Sequence, residues 1–202
     1  MAGYAVRADR PFLTTHRLYP SDTAYRLYGT QMTFSSCYES SDKRFRFSLE
    51  RQWSPGDRIV LFVMLNPSKA DAHTDDPTIR RCIRFAKSWG YTGMRVVNLV
   101  AYRATDPNDM YSWLTSTGAG ALRENERHVL AEARRKDVEL VVCAWGTPRP
   151  ALWDYGRQIH KALRQYRRTH AIKINTTGTP AHPLYLRADL QPVIYEPFGM
   201  AA

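Results

Sequence analysis

The second part of the chain contains four short apolar runs of strand length, and helix-like stretches separate them. The runs cover residues 58–65, 95–100, 138–145 and 171–175. A continuous apolar run bounded by turn residues is typical of a strand that is buried on both faces of a sheet. Strands that alternate with helices through short connections predict a parallel sheet covered on both sides. We therefore expect an α/β fold, with three α/β/α layers around a four-stranded, mainly parallel sheet.

The stretches between the runs carry helical signals. Asp75, Asp76 and Pro77 form a typical helix start, and Gly90 indicates where that helix ends. Its apolar positions recur with a helical period, at Ile79, Cys82, Ile83 and Ala86. Two further helices are predicted, over residues 120–136 and 152–166.

The first 57 residues are predicted to be a β-rich extension of a single domain whose core covers residues 58–187. Phe45, Phe47 and Leu49 alternate with Arg46, Ser48 and Glu50, and this alternation predicts a strand with one apolar and one polar face. A turn at residues 54–57 then favours a hairpin over residues 43–65, and residues 25–35 favour another strand.

The charge balance favours a polyanionic partner. The chain of 202 residues carries a formal net charge of +10, so we expect nucleic acid as partner, DNA ahead of RNA, bound by a monomer. No apolar run is long enough to span a membrane and no apolar leader is present, which predicts a cytoplasmic protein. The three cysteines form no Cys-x-x-Cys pair, so we expect reduced thiols and neither a structural zinc nor an iron–sulfur cluster. No cofactor is expected.

Ligands of parallel sheets bind beyond the carboxyl ends of the strands, and three polar residues lie at such positions. Asn66 follows the first run and could hold a water or a base edge, or only close an Asx-turn. Asn98 lies within the second run and could read a substrate amide or bond neighbouring backbone. His182 lies in a loop stiffened by Pro180 and Pro183, and could stabilise an oxyanion, transfer protons, or have no role.

Charged residues follow the first run. Asp71, Asp75 and Asp76 could bind Mg²⁺ or act as a general base, although helix capping also accounts for Asp75 or Asp76. Three arginines of the next helix could contact phosphates or form a solvated face: Arg80, Arg81 and Arg84.

Four motifs, in this order and at strand ends, resemble those of the uracil-DNA glycosylase superfamily. They are Met64-Leu65-Asn66-Pro67-Ser68, Val97-Asn98-Leu99-Val100 with Arg103-Ala104-Thr105, the apolar run ending at Gly146, and His182-Pro183-Leu184-Tyr185-Leu186. The pairing of Asn66 with His182 is similar to the single-strand-selective monofunctional branch. Met64 and Ser68 stand where that superfamily has glycines, and Leu184-Tyr185 stands where it has Ser-Pro. The chain is also similar to a bacterial and phage family of unknown function, through Leu65-Asn66-Pro67-Ser68, Ala70-Asp71 and residues 75–82.

The superfamily resemblance implies base flipping followed by hydrolysis of the N-glycosidic bond of a uracil-type or modified pyrimidine, without a metal. Asn66 would position the attacking water, His182 would stabilise the departing base, and Leu186 would enter the vacated stack. The other implied substrate-side residues are Asn98, Ser68, Asp71, Tyr102 and Tyr185, with Trp145 as a further stacking candidate. The implied contacts to the nucleic-acid backbone are Arg80, Arg81, Arg103 and Arg187.

Two alternative functions use the same fold. The chain could be a nucleic-acid-binding protein without catalysis, or an enzyme that acts on free nucleosides or nucleotides. Formation of abasic sites would separate the glycosylase from the binding protein, and turnover of mononucleotides without polymer binding would favour the last alternative.

Overall fold

The structure, a computed structural model, describes residues 22–28, 31–117 and 120–197. These ranges contain eight strands and four α-helices. The strands are β1 Asp22–Tyr28, β2 Gln31–Glu39, β3 Arg46–Gln52, β4 Ile59–Met64, β5 Gly93–Asn98, β6 Val138–Cys143, β7 Thr169–Ala171 and β8 Val193–Ile194. The helices are α1 Pro77–Ser88, α2 Pro107–Thr117, α3 Gly120–Ala133 and α4 Trp153–Arg164. Two 3-10 helices are also present, Pro150–Leu152 and Pro183–Tyr185.

All eight strands form one mixed sheet in the order β1-β2-β3-β5-β4-β6-β7-β8. The pairs β5-β4, β4-β6 and β6-β7 are parallel, and the remaining four pairs are antiparallel. The α/β class is therefore confirmed, but the expected four-stranded, mainly parallel sheet is wrong in size and composition. The four predicted strands form only the central part of a larger sheet.

The central strand β4 is buried on both faces, as its continuous apolar run predicts. Ile59, Leu61 and Val63 contribute to the core cluster that also contains residues of α2, α3 and α4. Val60, Phe62 and Met64 contribute to the opposite cluster, which contains the buried face of α1. Each such side chain stabilises the fold by about 1.5–3 kcal/mol when removed from water, so β4 fixes both layers to the sheet.

Helix α1 begins where the sequence predicts. Asp76 Oδ1 accepts a hydrogen bond from the Ile79 N–H at 2.9 Å, and Pro77 occupies the first turn, where it needs no intrahelical partner. The predicted apolar face is largely confirmed, with Phe85 fully buried and Ile83 only partly so. Helix α2 is not predicted from the sequence, because it buries only Met110 and Tyr111 and shows little apolar periodicity.

The predicted hairpin over residues 43–65 is wrong. β3 pairs with β2 and β5, so β5 lies between β3 and β4. Both edges of β4 are occupied by parallel strands, β5 on one side and β6 on the other. The strand predicted over residues 25–35 is replaced by β1 and β2. β7 is short and ends at Ala171, the residue at which the sequence predicts that the fourth strand begins. Of the predicted extension, the described residues 22–28 and 31–52 lie within the same sheet as the core.

Three further expectations concern cysteines, membranes and metals. Cys37, Cys82 and Cys143 are buried and unpaired, and burial raises the pKa of each thiol. No helix in the described ranges is both long and apolar enough to cross a bilayer. Within those ranges, no group of three or more His, Cys, Asp or Glu side chains is arranged to hold a metal ion.

Candidate functional site

The strand order creates a crevice at the carboxyl ends of β4 and β6, where the chain changes direction across the sheet. Val63 and Cys143 are register partners in this pair of strands. Asn66 and Gly146 each lie three positions beyond that pair, so both belong to the loops that border the crevice. The loop that follows β4, residues 65–76, is called the β4 loop below.

His182 contacts the β6 side of this crevice. Gly146 has a φ of +75°, and a Cβ added to it would lie 3.4 Å from the Cβ of His182. Because such a φ strongly favours glycine, the backbone at Gly146 lets the two loops approach each other. The structure therefore brings the predicted motif that begins at His182 to the carboxyl end of β6, the third predicted strand.

The geometry of His182 fixes the roles of its ring nitrogens. Nδ1 accepts a 3.4 Å hydrogen bond from the Leu184 N–H at the start of the 3-10 helix. A backbone N–H can only donate, so Nδ1 carries no proton in this arrangement and Nε2 is the donor. Desolvation lowers the pKa of His182, an effect that Asp76 partly offsets, although part of the residue remains exposed. At neutral pH the site therefore offers a neutral imidazole with an Nε2–H donor.

Asn66 is anchored by its amide nitrogen. Nδ2 donates to the carbonyl oxygen of Ala104 at 2.9 Å and to that of Pro67 at 3.0 Å. Among the described residues, no donor contacts Oδ1, which leaves this oxygen as the acceptor available to a ligand or water. Asn66 thus holds the backbone through Nδ2, and its Oδ1 can accept a hydrogen bond from another group.

The acids of the β4 loop have three different local roles. Asp71 accepts hydrogen bonds from the backbone of His73 and Thr74, and Asp75 forms an ion pair with Arg51. Desolvation raises the pKa of Asp71, but the backbone hydrogen bonds outweigh it and lower the pKa overall. Asp76 caps α1 and is the carboxylate that acts electrostatically on His182. Ser68 is also a predicted substrate-side residue, and its carbonyl oxygen accepts a hydrogen bond from Arg103.

Asn98 is buried rather than presented to a ligand. It is 1% exposed, and its Oδ1 lies 3.4 Å from Nη2 of Arg46. The sequence did not single out Arg46 or Arg51, because alternation placed Arg46 on a polar face, whereas both are buried in the structure. Both are buried because the β4 loop covers them, with Arg46 donating to Ala70 O and Arg51 to Asp71 O, a long-range contact that alternation along β3 does not record.

The three aromatic stacking candidates lie in different environments. Tyr102 stacks on Trp113, with ring centroids 4.7 Å apart and an interplanar angle of 3°, so the protein itself occupies one face. Trp145 is 4% exposed. Tyr185 is 92% exposed and lies three residues after His182, which makes its ring the one most available to a base.

Leu186, the residue predicted to enter the vacated stack, packs against the core cluster around α1. Its carbonyl oxygen accepts a hydrogen bond from Arg81, which ties α1 to the His182 loop. In this structure neither side chain is free for nucleic acid.

The other predicted phosphate contacts divide into buried and exposed groups. Arg103 donates to the carbonyl oxygens of Ser68 and Ala70 and pairs with Glu39. Arg80 and Arg187 are exposed. Arg80 donates to the carbonyl oxygen of Asp75, whereas Arg187 forms an exposed ion pair with Asp189, and exposed contacts of this kind are weak. Both guanidinium groups therefore remain accessible.

A cavity of about 90 Å³ lies on the α4 side of β6. Its walls include aromatic, glycine and threonine residues: Trp145, Trp153, Gly156, Thr177, Thr179 and Tyr195. Asn66, Asn98 and His182 do not line it, so the cavity is separate from the predicted constellation.

Comparison with known proteins gives one match. Residues 46–184 match a family described as a protein of unknown function, DUF1643. No curated protein and no solved structure matches the chain. The matched segment begins at Arg46 and ends at Leu184, so it includes β3, the β4 loop and His182. Because this segment exceeds half of the sequence, the chain belongs to the DUF1643 family.

Proposed function

We propose that this protein is a base-processing enzyme of nucleic acid, which hydrolyses the N-glycosidic bond of a uracil-type or modified pyrimidine in DNA. The observation that carries the proposal is that the loops carrying Asn66 and His182 both lie at the carboxyl ends of the neighbouring strands β4 and β6. One loop presents Asn66, and the other presents His182 beside Gly146. Crevices at such a change of strand direction are where open α/β sheets bind ligands.

His182 is suited to stabilise a departing base. As the C1′–N bond breaks, its electron pair leaves with the base, and negative charge develops on the base oxygen. A neutral imidazole whose proton is on Nε2 can donate a hydrogen bond to that oxygen. Its lowered pKa keeps the ring neutral at pH 7.

Asn66 is suited to hold the water. Its Nδ2 is committed to two carbonyl oxygens, so Oδ1 can accept a hydrogen bond from a water molecule. The water oxygen bonds to C1′ as the base leaves, and the proton released by the water passes through solvent to the base anion. An amide does not take up that proton, so Asn66 contributes by orientation.

Polymer binding is supported by exposed groups near the crevice. Tyr185 offers a nearly fully exposed ring for stacking on a base, in place of Leu186, which packs in the core. Arg80 and Arg187 offer exposed guanidinium groups, and the net charge of +10 favours a polyanion. Flipping a nucleotide costs a few kcal/mol of unstacking, which such contacts offset.

The proposal is tested with single- and double-stranded oligonucleotides that carry uracil or 5-hydroxymethyluracil. After incubation with the protein, hot alkali converts abasic sites into strand breaks, and chromatography identifies the released base. We expect cleavage by the wild type, and losses of roughly 10²–10³-fold in Asn66→Ala and His182→Ala. Gln165→Ala, which removes an exposed amide at the end of α4, before the start of β7, serves as the control and should keep full activity.

Two results would contradict the proposal. Intact strands with all substrates, despite salt-dependent binding, would favour the non-catalytic binding protein. Turnover of free nucleotides without polymer binding would favour an enzyme acting on small molecules.

A further inference from the structure

Two arginines bind the middle of the β4 loop by donating hydrogen bonds to the same carbonyl oxygen. Arg46 Nη1 and Arg103 Nη1 each donate to Ala70 O at 2.9 Å. Arg103 also donates to Ser68 O at 3.0 Å. Backbone N–H groups bind the carbonyl oxygens of Leu65 and Pro67, but among the described residues none reaches those of Ser68 and Ala70, and buried carbonyl oxygens need donors. The guanidinium groups supply what a helix or strand would supply internally.

A third arginine holds the later part of the loop. Arg51 donates from Nη2 to Asp71 O and from Nε to the carboxylate of Asp75, the latter at 2.9 Å. Ser35 of β2 adds a hydrogen bond to Ala72 O at 2.6 Å. Donors from the antiparallel part of the sheet therefore reach the β4 loop from Ala70 to Asp75.

Arg46 shows that this arrangement has a cost. It is 2% exposed, and burial lowers its pKa to about 10, so it remains charged at neutral pH. Among the described residues no carboxylate pairs with Arg46, whereas Arg51 and Arg95 both have ion-pair partners. Its Nε has no hydrogen-bond partner in the described part of the chain. A buried unpaired charge destabilises a fold, and an apolar side chain would fill the same space at lower cost.

We propose that Arg46, Arg51 and Arg103, here called the arginine clamp, are positioning residues that fix the β4 loop in the conformation that presents Asn66 at the crevice. The antiparallel part of the sheet then belongs to the functional site, because β3 supplies two of the three guanidinium groups. The fixing of the loop follows from the hydrogen bonds, whereas its consequence for base excision rests on the proposed function.

Hydrogen exchange of the full-length protein, read by mass spectrometry, tests the clamp without any substrate. In Arg46→Met we expect the amides of Asp71, His73 and Thr74, which donate hydrogen bonds within the β4 loop, to exchange about tenfold faster, because the loop opens more often. The amides of α4 should keep their rate, and the urea midpoint should stay close to that of the wild type. Arg58→Met is the matched control, since Arg58 binds Gly90 O and Glu139 at the opposite end of β4. It should leave exchange in the β4 loop unchanged.

The outcomes separate positioning from general stabilisation. Unchanged exchange in the β4 loop of Arg46→Met would overturn the proposal. So would faster exchange in every segment together with a lower urea midpoint, the result expected of a merely structural residue. Should Arg46→Met fail to fold, Arg46→Lys retains the charge but lacks the planar fork, and should show a smaller selective increase. Wild-type exchange in Arg46→Lys would then overturn it.

The strand-cleavage assay adds the functional readout. In Arg46→Met, kcat should fall while KM stays near its wild-type value, because the loop is displaced and the exposed binding groups are unchanged. An equal fall in kcat for Arg58→Met would overturn a specific role. If the wild type cleaves none of the oligonucleotides, the proposed function fails while the exchange result still decides the role of the clamp.

Discussion

Gly146 and His182 contact each other although they lie in different loops, and the contact depends on a backbone that glycine favours. The φ of Gly146 is +75°, and the nearest side-chain atom to an added Cβ would be the Cβ of His182. At 3.4 Å an added methyl group would be at the tight limit of ordinary van der Waals contact with His182. The placement of His182 is therefore sensitive to a single methyl group at residue 146.

The first prediction follows at this scale. Gly146→Ala should cost roughly 1–2 kcal/mol of unfolding free energy, because its positive φ is strained for alanine. Activity should fall about tenfold or more, since small misplacements of a reacting group are costly. Urea denaturation and the strand-cleavage assay measure the two effects.

The control for this prediction is Gly90→Ala. Gly90 has a φ of +80°, but an added Cβ would meet only Arg58, at 3.9 Å. The same strain thus occurs outside the crevice. Equal loss of activity in both variants would mean that stability, not the position of His182, determines the effect.

At the scale of elements, the insertion of β3 beside β5 connects the N-terminal part of the chain to the parallel strands. Leu49 of β3 is fully buried, and Glu50 pairs with Arg95 of β5 at 2.6 Å. Arg95 is buried in β5 and also pairs with Glu132 and Asp137. β3 thus completes both the core and a charge network.

The second prediction is that a chain starting at Arg58 does not fold cooperatively. It would expose the edge of β5 and leave Arg95 without Glu50, and removal of one partner of a buried ion pair is strongly destabilising. Far-UV circular dichroism and urea unfolding, compared with the full chain, provide the measurement. A sharp transition with an m-value near that of the full chain would show instead that residues 58–202 are an independent domain.

At the scale of the whole molecule, histidines with lowered pKa values contribute to how stability depends on pH. Desolvation lowers the pKa of four histidines, His128, His160, His170 and His182. His160 is fully buried, with Nε2 3.0 Å from Tyr195 O and 2.9 Å from the Thr169 hydroxyl. The unfolded chain therefore binds more protons than the folded chain below the ordinary histidine pKa.

The third prediction is a loss of stability on mild acidification. Because the folded-state pKa values are depressed, the stabilisation is fully present above about pH 6.5 and decreases as the pH falls towards the lowered values. Urea unfolding between about pH 7.5 and 5.5 should show a steady fall in unfolding free energy. His160→Gln keeps a donor for Tyr195 O but cannot be protonated, so its curve should be flatter. An identical slope in both proteins would contradict the contribution of His160.

The sequence by itself determined the elements whose cause is local. The apolar run of β4 and the turn at Gly146 depend on neighbours along the chain, and each was recognisable there. The start of α1 was recognisable too, although the sequence left its cap open between Asp75 and Asp76. The ends of the strands also pointed to Asn66 and His182, since parallel strands place their carboxyl ends together.

The tertiary structure alone decided what depends on long-range pairing. Alternation along β3 placed Arg46 on a polar face, but the β4 loop, from a different part of the sequence, covers that face and buries the side chain. Burial then left Asn98 facing Arg46 and made the arginine clamp the support of the β4 loop. Sequence periodicity records which face of a strand is apolar, but the neighbours that cover the other face are set by the order of strands in the sheet.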